Sequence, residues 1–396
     1  MSTYTNLLTK WVSRVIDEKN LIRRLESGKK LRIKLGIDPT APIVHLGHAV
    51  TILKLREFQK MGHQIIVLIG DATAQVGDTS DKNAERPMLS REETRKNAER
   101  YLSLYGKILD LKEVEVYYNS EWLDKVNFCG VGELAKHFSV AEMLDRDNFS
   151  KRYKAWERIS LQEFLYPLMQ WYDSVVLHAD IEIGGNDQYF NLLAGRTLQE
   201  AFWQEKQDII TMNLIMWTDG QKMSKTAWNF ISLDMSANDM FVKIMEIPDE
   251  QIIPYFESCT VVEMADIEII KKQLAEGEHP RTLKKQLARE IVGLYHSVDL
   301  VNHAEEYFEA TIAGWSRPRD EDVMIYQYVS GEVPLVTLIR EIGMVGNSTE
   351  ARNAIIGGGV KVDEVIVADV KAMILISSEK KLIQVGKKKF CYVLQK

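Results

Sequence analysis

Apolar residues in this chain follow two rhythms. Residues 31–35 and 64–70 are short runs dense in Leu, Ile and Val, the length and composition of buried strands. Between them Leu46, Val50 and Leu53 recur at i, i+4 and i+7, one face of an amphipathic helix, and Gly62 marks its stop. The pattern predicts a strand, helix, strand unit, with Gly36-Ile37-Asp38-Pro39-Thr40 as the turn that leaves the first strand. Similar alternation fills roughly residues 31–233, the layout of a parallel sheet covered by helices. From 236 to about 311 the pattern is helical, with charged, helix-favouring runs at 267–276 and 283–295. Residues 314–322 mix Gly, Ser and Pro with charges and read as a linker.

The last segment, 333–396, has its own pattern. Leu335, Leu338, Ile339 and Ile342 lie on one side of a predicted helix over 334–342. Ser348 then stands where it would cap a second helix ending at Gly357-Gly358-Gly359, before a strand at 360–362. Ser160-Leu161-Gln162-Glu163 reads as a capping box, so a further helix should run from there through Tyr172. On it Tyr166, Gln170 and Asp173 are spaced i, i+4 and i+7. A face carrying a phenol, an amide and a carboxylate suits the lining of a pocket better than a core.

Charge divides the chain. Residues 333–396 hold 10 Lys and Arg against 6 Asp and Glu, whereas the preceding 332 residues hold 40 against 51, within a net −7. A basic module tethered to an acidic body suggests attraction to a polyanion. The 396 residues, 45% hydrophobic and 27% charged, are ordinary for a globular protein of two or three domains. Cys129, Cys259 and Cys391 are few, odd in number and far apart, which argues against a disulfide framework or Cys-rich metal site and for a reducing compartment. Residues 1–30 lack an apolar core of signal-peptide length, and Asp17, Glu18 and Glu26 are unlike a mitochondrial presequence. No apolar stretch reaches bilayer length, so a cytoplasmic protein with no membrane partner is expected.

Two tetrapeptides carry the chemistry. His45-Leu46-Gly47-His48 falls at a predicted helix start beyond a strand, where backbone N–H groups and a partial positive charge meet phosphate. Imidazoles there can donate to phosphate oxygens, and Gly47 lets a nucleotide approach the backbone. A zinc site is set aside, because no Cys or carboxylate cluster with metal spacing accompanies the histidines. Lys222-Met223-Ser224-Lys225 follows the turn pair Asp219-Gly220, so a loop presents two ammonium groups. Such groups stabilise charge that builds on phosphate oxygens when a carboxylate attacks the α-phosphorus of ATP.

With these two signatures the chain resembles the class I aminoacyl-tRNA synthetases, and within them the tyrosyl-tRNA synthetases. Further matches are Gly36 to Thr40, Gly77-Asp78, Gln170-x-Tyr172-Asp173 and Gly184-Gly185-x-Asp187-Gln188. The resemblance implies an α/β Rossmann-like catalytic domain over 1–235, an α-helical anticodon-stem domain over 236–322, and a small α+β S4-like RNA-binding domain over 333–396. It implies tyrosine–tRNA ligase activity with ATP as substrate, Mg2+ alongside it, tRNA(Tyr) as partner, and a homodimer. By the same resemblance Thr40, His45, His48, Lys222 and Lys225 are catalytic. Lys34, Asp78, Tyr166, Gln170, Asp173 and Gln188 bind tyrosine, with Asp173 accepting from the phenolic hydroxyl. Gly36, Asp38, Gly47, Gly185, Asp187, Met223 and Ser224 bind ATP or adenylate, and Arg340, Arg352 and Lys361 follow RNA phosphates. Lys387, Lys388 and Lys389 fall at a predicted strand end, where lysines also serve to guard an edge.

The sequence departs from the family pattern in places. Lys34 stands where many members carry a second tyrosine, Trp171 and Asn186 replace smaller residues, and Thr79-Ser80-Asp81 replaces a Pro-Ser/Thr-Gly stretch. These differences bear on pocket dimensions and leave the adenylation apparatus intact. They keep open a relative that activates another aromatic amino acid or acylates another acceptor, and an inactive synthetase-like RNA-binding protein.

Overall fold

Strand β2 (Arg32–Ile37) and strand β3 (Gln64–Ile69) pair in parallel over six positions, with the Leu46–Lys60 helix between them in sequence. The predicted unit therefore forms, with one correction. Gly36 and Ile37 belong to the strand and not to the turn, because their pairing with Leu68 and Ile69 extends the ladder. The computed structural model describes residues 4–77, 89–145, 147–213, 230–313, 323–329, 331–386 and 389–396. The predicted linker at 314–322 lies outside them.

With β1 (Val12–Ile16), β4 (Val114–Tyr118), β5 (Ile181–Gly185) and β6 (Asp208–Met212), these strands build a six-stranded sheet in the order β1-β6-β5-β2-β3-β4. All pairs are parallel except β1 with β6. Ile33, Leu35, Ile65, Ile66, Val67, Ile69, Ile181, Ile183, Ile209 and Ile210 are buried, as expected of strands covered on both faces. The chain passes from β2 to β3 and β4 on one side, then returns through β5 to the other side of β2. That makes β2/β5 the topological switch point, where a ligand crevice opens beyond the strand ends. Here β5 pairs β2 only at Ile33–Ile181 and Lys34–Glu182, so the two strands part before their carboxyl ends.

Ser160 begins the Leu161–Val176 helix with the expected capping box: its hydroxyl accepts from Gln162 N–H at 3.3 Å, and Glu163 accepts from Ser160 N–H at 2.9 Å. This helix continues one turn past the expected end and shares a core with the Tyr189–Ala201 helix through Trp171, Val175, Ala194 and Leu198. Trp171 is fully buried, 4.0 Å from the Phe138 ring. Two residues of helix turn about 200°, so Trp171 points to the side opposite Asp173. The departure at 171 fills a core and leaves the face of Tyr166, Gln170 and Asp173 alone.

The chain divides into two compact units, Met1–Ser236 with Lys243–His296, and Ala237–Val242 with Ser297–Lys396. The expected helical stretch appears as Ala237–Met245, Ile252–Cys259, Met264–Ala275, Pro280–Tyr295 and Val298–Tyr307. Within the second unit, the Leu335–Glu341 and Ser348–Ile356 helices precede the Val360–Val362 strand, the predicted order. The cap differs: Asn347 and not Ser348 accepts from Glu350 N–H, at 2.9 Å, its amide oxygen reaching three residues on. Leu335, Leu338, Ile339, Ala351, Ile355, Val360, Ile383 and Val393 form this unit's core. Its sheet also takes in Met324–Tyr328, which pairs in parallel with Lys389–Gln395. Among the described residues no helix is long and apolar enough to cross a membrane.

Candidate active site

The crevice beyond β2 and β5 begins at Gly36, which is exposed although its strand is central to the sheet. A Cβ at Gly36 would meet nothing closer than Lys34 Cε at 4.0 Å, so the backbone is open to a flat ligand. Past the strand end, Asp38 is held from two sides: Thr73 donates to Oδ1 at 2.8 Å and the Tyr166 hydroxyl to Oδ2 at 3.0 Å. The carboxylate lies directly over Gly70, where a Cβ would fall 1.9 Å from Asp38 Oδ1 and 2.2 Å from Thr73 Oγ1. A side chain there would displace both groups. Thr40 closes the turn by donating its N–H to Asp38 O at 2.7 Å, and Asn97 anchors Pro39 O at 2.9 Å.

His45 is the N-cap of the Leu46–Lys60 helix, and the two histidines form a capping box without acids. Gly47 N–H donates to His45 Nδ1 at 3.1 Å, and His45 N–H donates to His48 Nδ1 at 3.2 Å. Each ring accepts through Nδ1, which puts the proton of the neutral imidazole on Nε2. The ring centroids lie 3.9 Å apart. A Cβ at Gly47 would come within 2.9 Å of His45 Cε1, so this glycine is required first by the capping ring. Leu46 N–H donates to Ile231 O at 3.0 Å and Leu233 N–H to Val44 O at 2.9 Å. The chain that has just left the second signature is thereby laced to the first. Lys107 Nζ reaches Leu233 O at 2.9 Å, and Arg100 pairs with Asp234.

Asp173 sits deeper. Trp122 Nε1 donates to its Oδ1 at 2.7 Å and Asn119 Nδ2 to its Oδ2 at 3.3 Å, while Asn119 Nδ2 also reaches Thr73 Oγ1 at 3.1 Å. One hydrogen-bonded chain thus runs from Tyr166 through Asp38, Thr73 and Asn119 to Asp173. Burial pushes the Asp173 carboxyl up to about 7, opposed chiefly by the Lys34 charge and then by its Trp122 and Asn119 donors. Gln170, half-buried on the same helix face, has an enclosed Oε1 with no hydrogen-bond partner among the described residues. An orphaned buried acceptor beside a carboxylate is what a pocket awaiting a donor ligand presents.

Lys34, expected at the substrate, is fully enclosed. Its ammonium donates to Glu182 Oε1 at 2.9 Å and Ser174 Oγ at 2.8 Å, with Gln170 O at 3.4 Å as a third acceptor. At the end of β5, Gly185 and Gln188 are half-buried and Asp187 is exposed on the turn that starts the Tyr189–Ala201 helix. Gln188 Oε1 accepts from Asn191 at 2.9 Å, and the Asn186 departure is held by Thr211 Oγ1 at 3.3 Å.

Asp78, Lys222, Met223, Ser224 and Lys225 lie outside the described residues, as do Lys387 and Lys388. In the second unit the Arg340 guanidinium reaches Ser348 Oγ and Glu341, each at 3.3–3.4 Å. Arg352 is exposed and Lys361 half-buried. Lys389 donates to Met344 O at 2.6 Å, a structural use. Sequence reasoning missed Gly70, Thr73, Asn119, Trp122, Ser174 and Glu182. The one available signal was Gly70 directly after a buried strand, the position where a backbone approaches a ligand or side chain.

Comparison with known proteins gives a consistent set of likenesses. Residues 26–313 match the family described as tRNA synthetases class I (W and Y). A tyrosine–tRNA ligase 2 of Clostridium acetobutylicum is 45% identical over 394 residues, 98% of this chain and 97% of the relative. A tyrosine–tRNA ligase of Thermotoga maritima is 42% identical over 386 residues, 97% of this chain and 95% of the relative. Among solved structures, a C-terminally truncated mitochondrial tyrosyl-tRNA synthetase of Coccidioides posadasii superposes with TM-score 0.64 at 22% identity, over 77% of this chain and 92% of that one. The tyrosyl-tRNA synthetase of Archaeoglobus fulgidus complexed with L-tyrosine gives TM-score 0.60, also at 22% identity, over 76% and 98%. At that identity the structures speak for the fold alone.

Proposed function

The chain belongs to the tyrosyl branch of the class I tRNA synthetases, and from that premise we propose how its residues divide the work. It activates tyrosine with ATP to tyrosyl-adenylate and transfers the tyrosyl group to the 3′ end of tRNA(Tyr). The observation that carries the residue assignment is the hydrogen-bonded chain from Tyr166 to Asp173. It joins a polar amino-acid pocket to the crevice at the β2/β5 switch point, beside the His45–His48 helix start.

No protein nucleophile is needed. The tyrosine carboxylate attacks the α-phosphorus, a new P–O bond forms, and the bond to the bridging oxygen of pyrophosphate breaks. Catalysis then consists of alignment and of stabilising charge on the phosphate oxygens. His45 and His48 donate from Nε2, the proton position their capping contacts impose, and Thr40 completes that side. Lys222 and Lys225, with Met223 and Ser224 between them, supply cationic charge to the leaving pyrophosphate. Magnesium enters with ATP. Gly36, Asp38, Gly47, Gly185 and Asp187 line the nucleotide side.

Tyr166, Gln170, Gln188 and Asp78 receive the tyrosine ammonium, and Asp173 accepts from the phenol. A buried acceptor left unpaired by phenylalanine rejects it, a rule whose standard illustration is this same enzyme family. In the second step a ribose hydroxyl at the tRNA 3′ end attacks the acyl carbon and releases AMP.

The remaining parts follow the same reading: 1–235 as catalytic domain, 236–322 as helical domain by the anticodon stem, and 333–396 as S4-like module with Arg340, Arg352 and Lys361 on RNA phosphates. Phe128, Val140, Tyr153, Trp156 and Leu161 expose large apolar side chains along 128–161, a surface suited to a second copy in a homodimer. We place the enzyme in the cytoplasm on resemblance. The test is charging of tRNA(Tyr) with labelled tyrosine. Acylated tRNA is expected; adenylate formation without it would point to another acceptor.

A further inference from the structure

Lys34 and Glu182 are an ion pair with almost no access to water. Their relative exposures are 0% and 2%. Glu182 Oε1 takes the Lys34 ammonium, and Oε2 accepts from Ser174 Oγ at 3.0 Å and from the fully buried Gln207 amide. Ser174 in turn accepts from Lys34 at 2.8 Å, so the network closes on itself. An ammonium has three protons, and here three protein acceptors stand around it: Glu182, Ser174 and the Gln170 carbonyl. No proton is left for a substrate hydroxyl. Such a pair is expensive to desolvate, and an apolar pair of similar volume is often as stable, so its presence under a pocket calls for a use beyond stability.

Its position supplies one. Lys34 grips the Leu161–Val176 helix at Gln170 O and Ser174 Oγ, on either side of Asp173 in sequence. We propose that Lys34 is a specificity-determining positioning residue: it touches no substrate, but holds the Gln170–Ser174 turn against β2 and, by its charge, favours the carboxylate form of Asp173 as the acceptor for a phenolic hydroxyl. This deepens the tyrosine-pocket reading and rests on it. Among the described residues, four groups bear on Asp173. Trp122 and Asn119 give it neutral donors, Lys34 on β2 the favourable charge, and Glu182 on β5 an unfavourable one. Burial pushes the carboxyl up to about 7, and Lys34 is the strongest influence against that rise. Without it, a carboxyl at neutral pH would be largely protonated, and the penalty for placing an unsubstituted ring beside it would fade.

The experiment uses the full-length enzyme and ATP–pyrophosphate exchange, reading the ratio of kcat/KM for tyrosine to that for phenylalanine from about pH 5.5 to about pH 9.5. Ionisations on the phosphate side act on both substrates and cancel in the ratio. In the parent enzyme the ratio should rise with the ionisation of Asp173. In Lys34→Met the rise should move to higher pH, lowering the ratio at neutral pH several-fold while recovering at high pH. A ratio lowered evenly at every pH, or unmoved, would overturn the proposal, since a purely structural lysine shifts no titration. If Lys34→Met does not fold, Lys34→Met with Glu182→Gln removes both charges at similar volume. A smaller upward shift is expected, because the lysine acts on Asp173 more strongly than Glu182 does and loss of the Glu182 charge offsets only part of it. Asp173→Asn should give a flat ratio; if it keeps the parent's pH curve, the assignment of Asp173 itself fails and the Lys34 proposal with it.

Discussion

Replacing Asp173 with asparagine should make the protein more stable at alkaline pH and less stable at acid pH. The carboxyl is wholly buried, and burial lifts it from an ordinary 3.8 to about 7. A carboxyl raised on folding costs nothing below its unfolded value, because both states are protonated there. The cost grows as pH climbs from about 4 and is complete above the folded value near 7. Three units correspond to roughly 4 kcal/mol. Asparagine removes that cost and can still accept from Trp122 through its amide oxygen, but its NH2 meets the Asn119 NH2, which costs about 1–3 kcal/mol. The variant should therefore lead the parent by about 1–3 kcal/mol at pH 8 and trail it by a similar amount at pH 4. Thermal unfolding of both proteins across that range reads the difference, and other titrating groups cancel in it. The swing in relative Tm should be about 5 °C for a chain of this size. A Tm difference that stays constant from pH 4 to pH 8 would refute the claim that Asp173 carries a buried, costly charge.

Gly70→Ala should lower kcat/KM for tyrosine about 100-fold, since its Cβ displaces the Asp38 carboxylate from Thr73 and Tyr166; exchange kinetics check it, and an unchanged value removes Asp38 from the site. Lys225→Ala should slow adenylation far more than it weakens tyrosine binding, and equal loss in both, seen by single-turnover kinetics, would argue against a role in the transition state. Removing charge together at Arg340, Arg352 and Lys361 should spare exchange but weaken tRNA binding and reduce its salt slope by up to about 3. An unaltered slope would take these residues off the phosphates.

The parts legible in sequence were those with short-range signals. The Ser160 capping box, the 3.6-residue face of Tyr166, Gln170 and Asp173, and the strand, helix, strand unit around His45 all rest on contacts within a few residues. Long-range partners were not legible. Trp122 is 51 residues from Asp173, Asn119 is 54, and Ser174 is 140 from Lys34, and no local rule reaches across such loops. For the same reason Lys34 read as a substrate contact, although Glu182 and Ser174 occupy it from behind. Even a local feature was legible only in part. The histidines read as phosphate donors, and the structure adds that each uses Nδ1 to cap the helix and that Gly47 is small first for the His45 ring. Ser348 and Asn347 are both good caps side by side, and only backbone conformation decides that Asn347 performs the task.

Amino-acid-dependent ATP–pyrophosphate exchange, run in parallel with tyrosine, phenylalanine and tryptophan, tests most directly that this chain adenylates tyrosine in the pocket closed by Asp173. Exchange with tyrosine alone is the expected result. Comparable exchange with phenylalanine or tryptophan would contradict the pocket assignment, and no exchange with any of the three would contradict the adenylation chemistry itself.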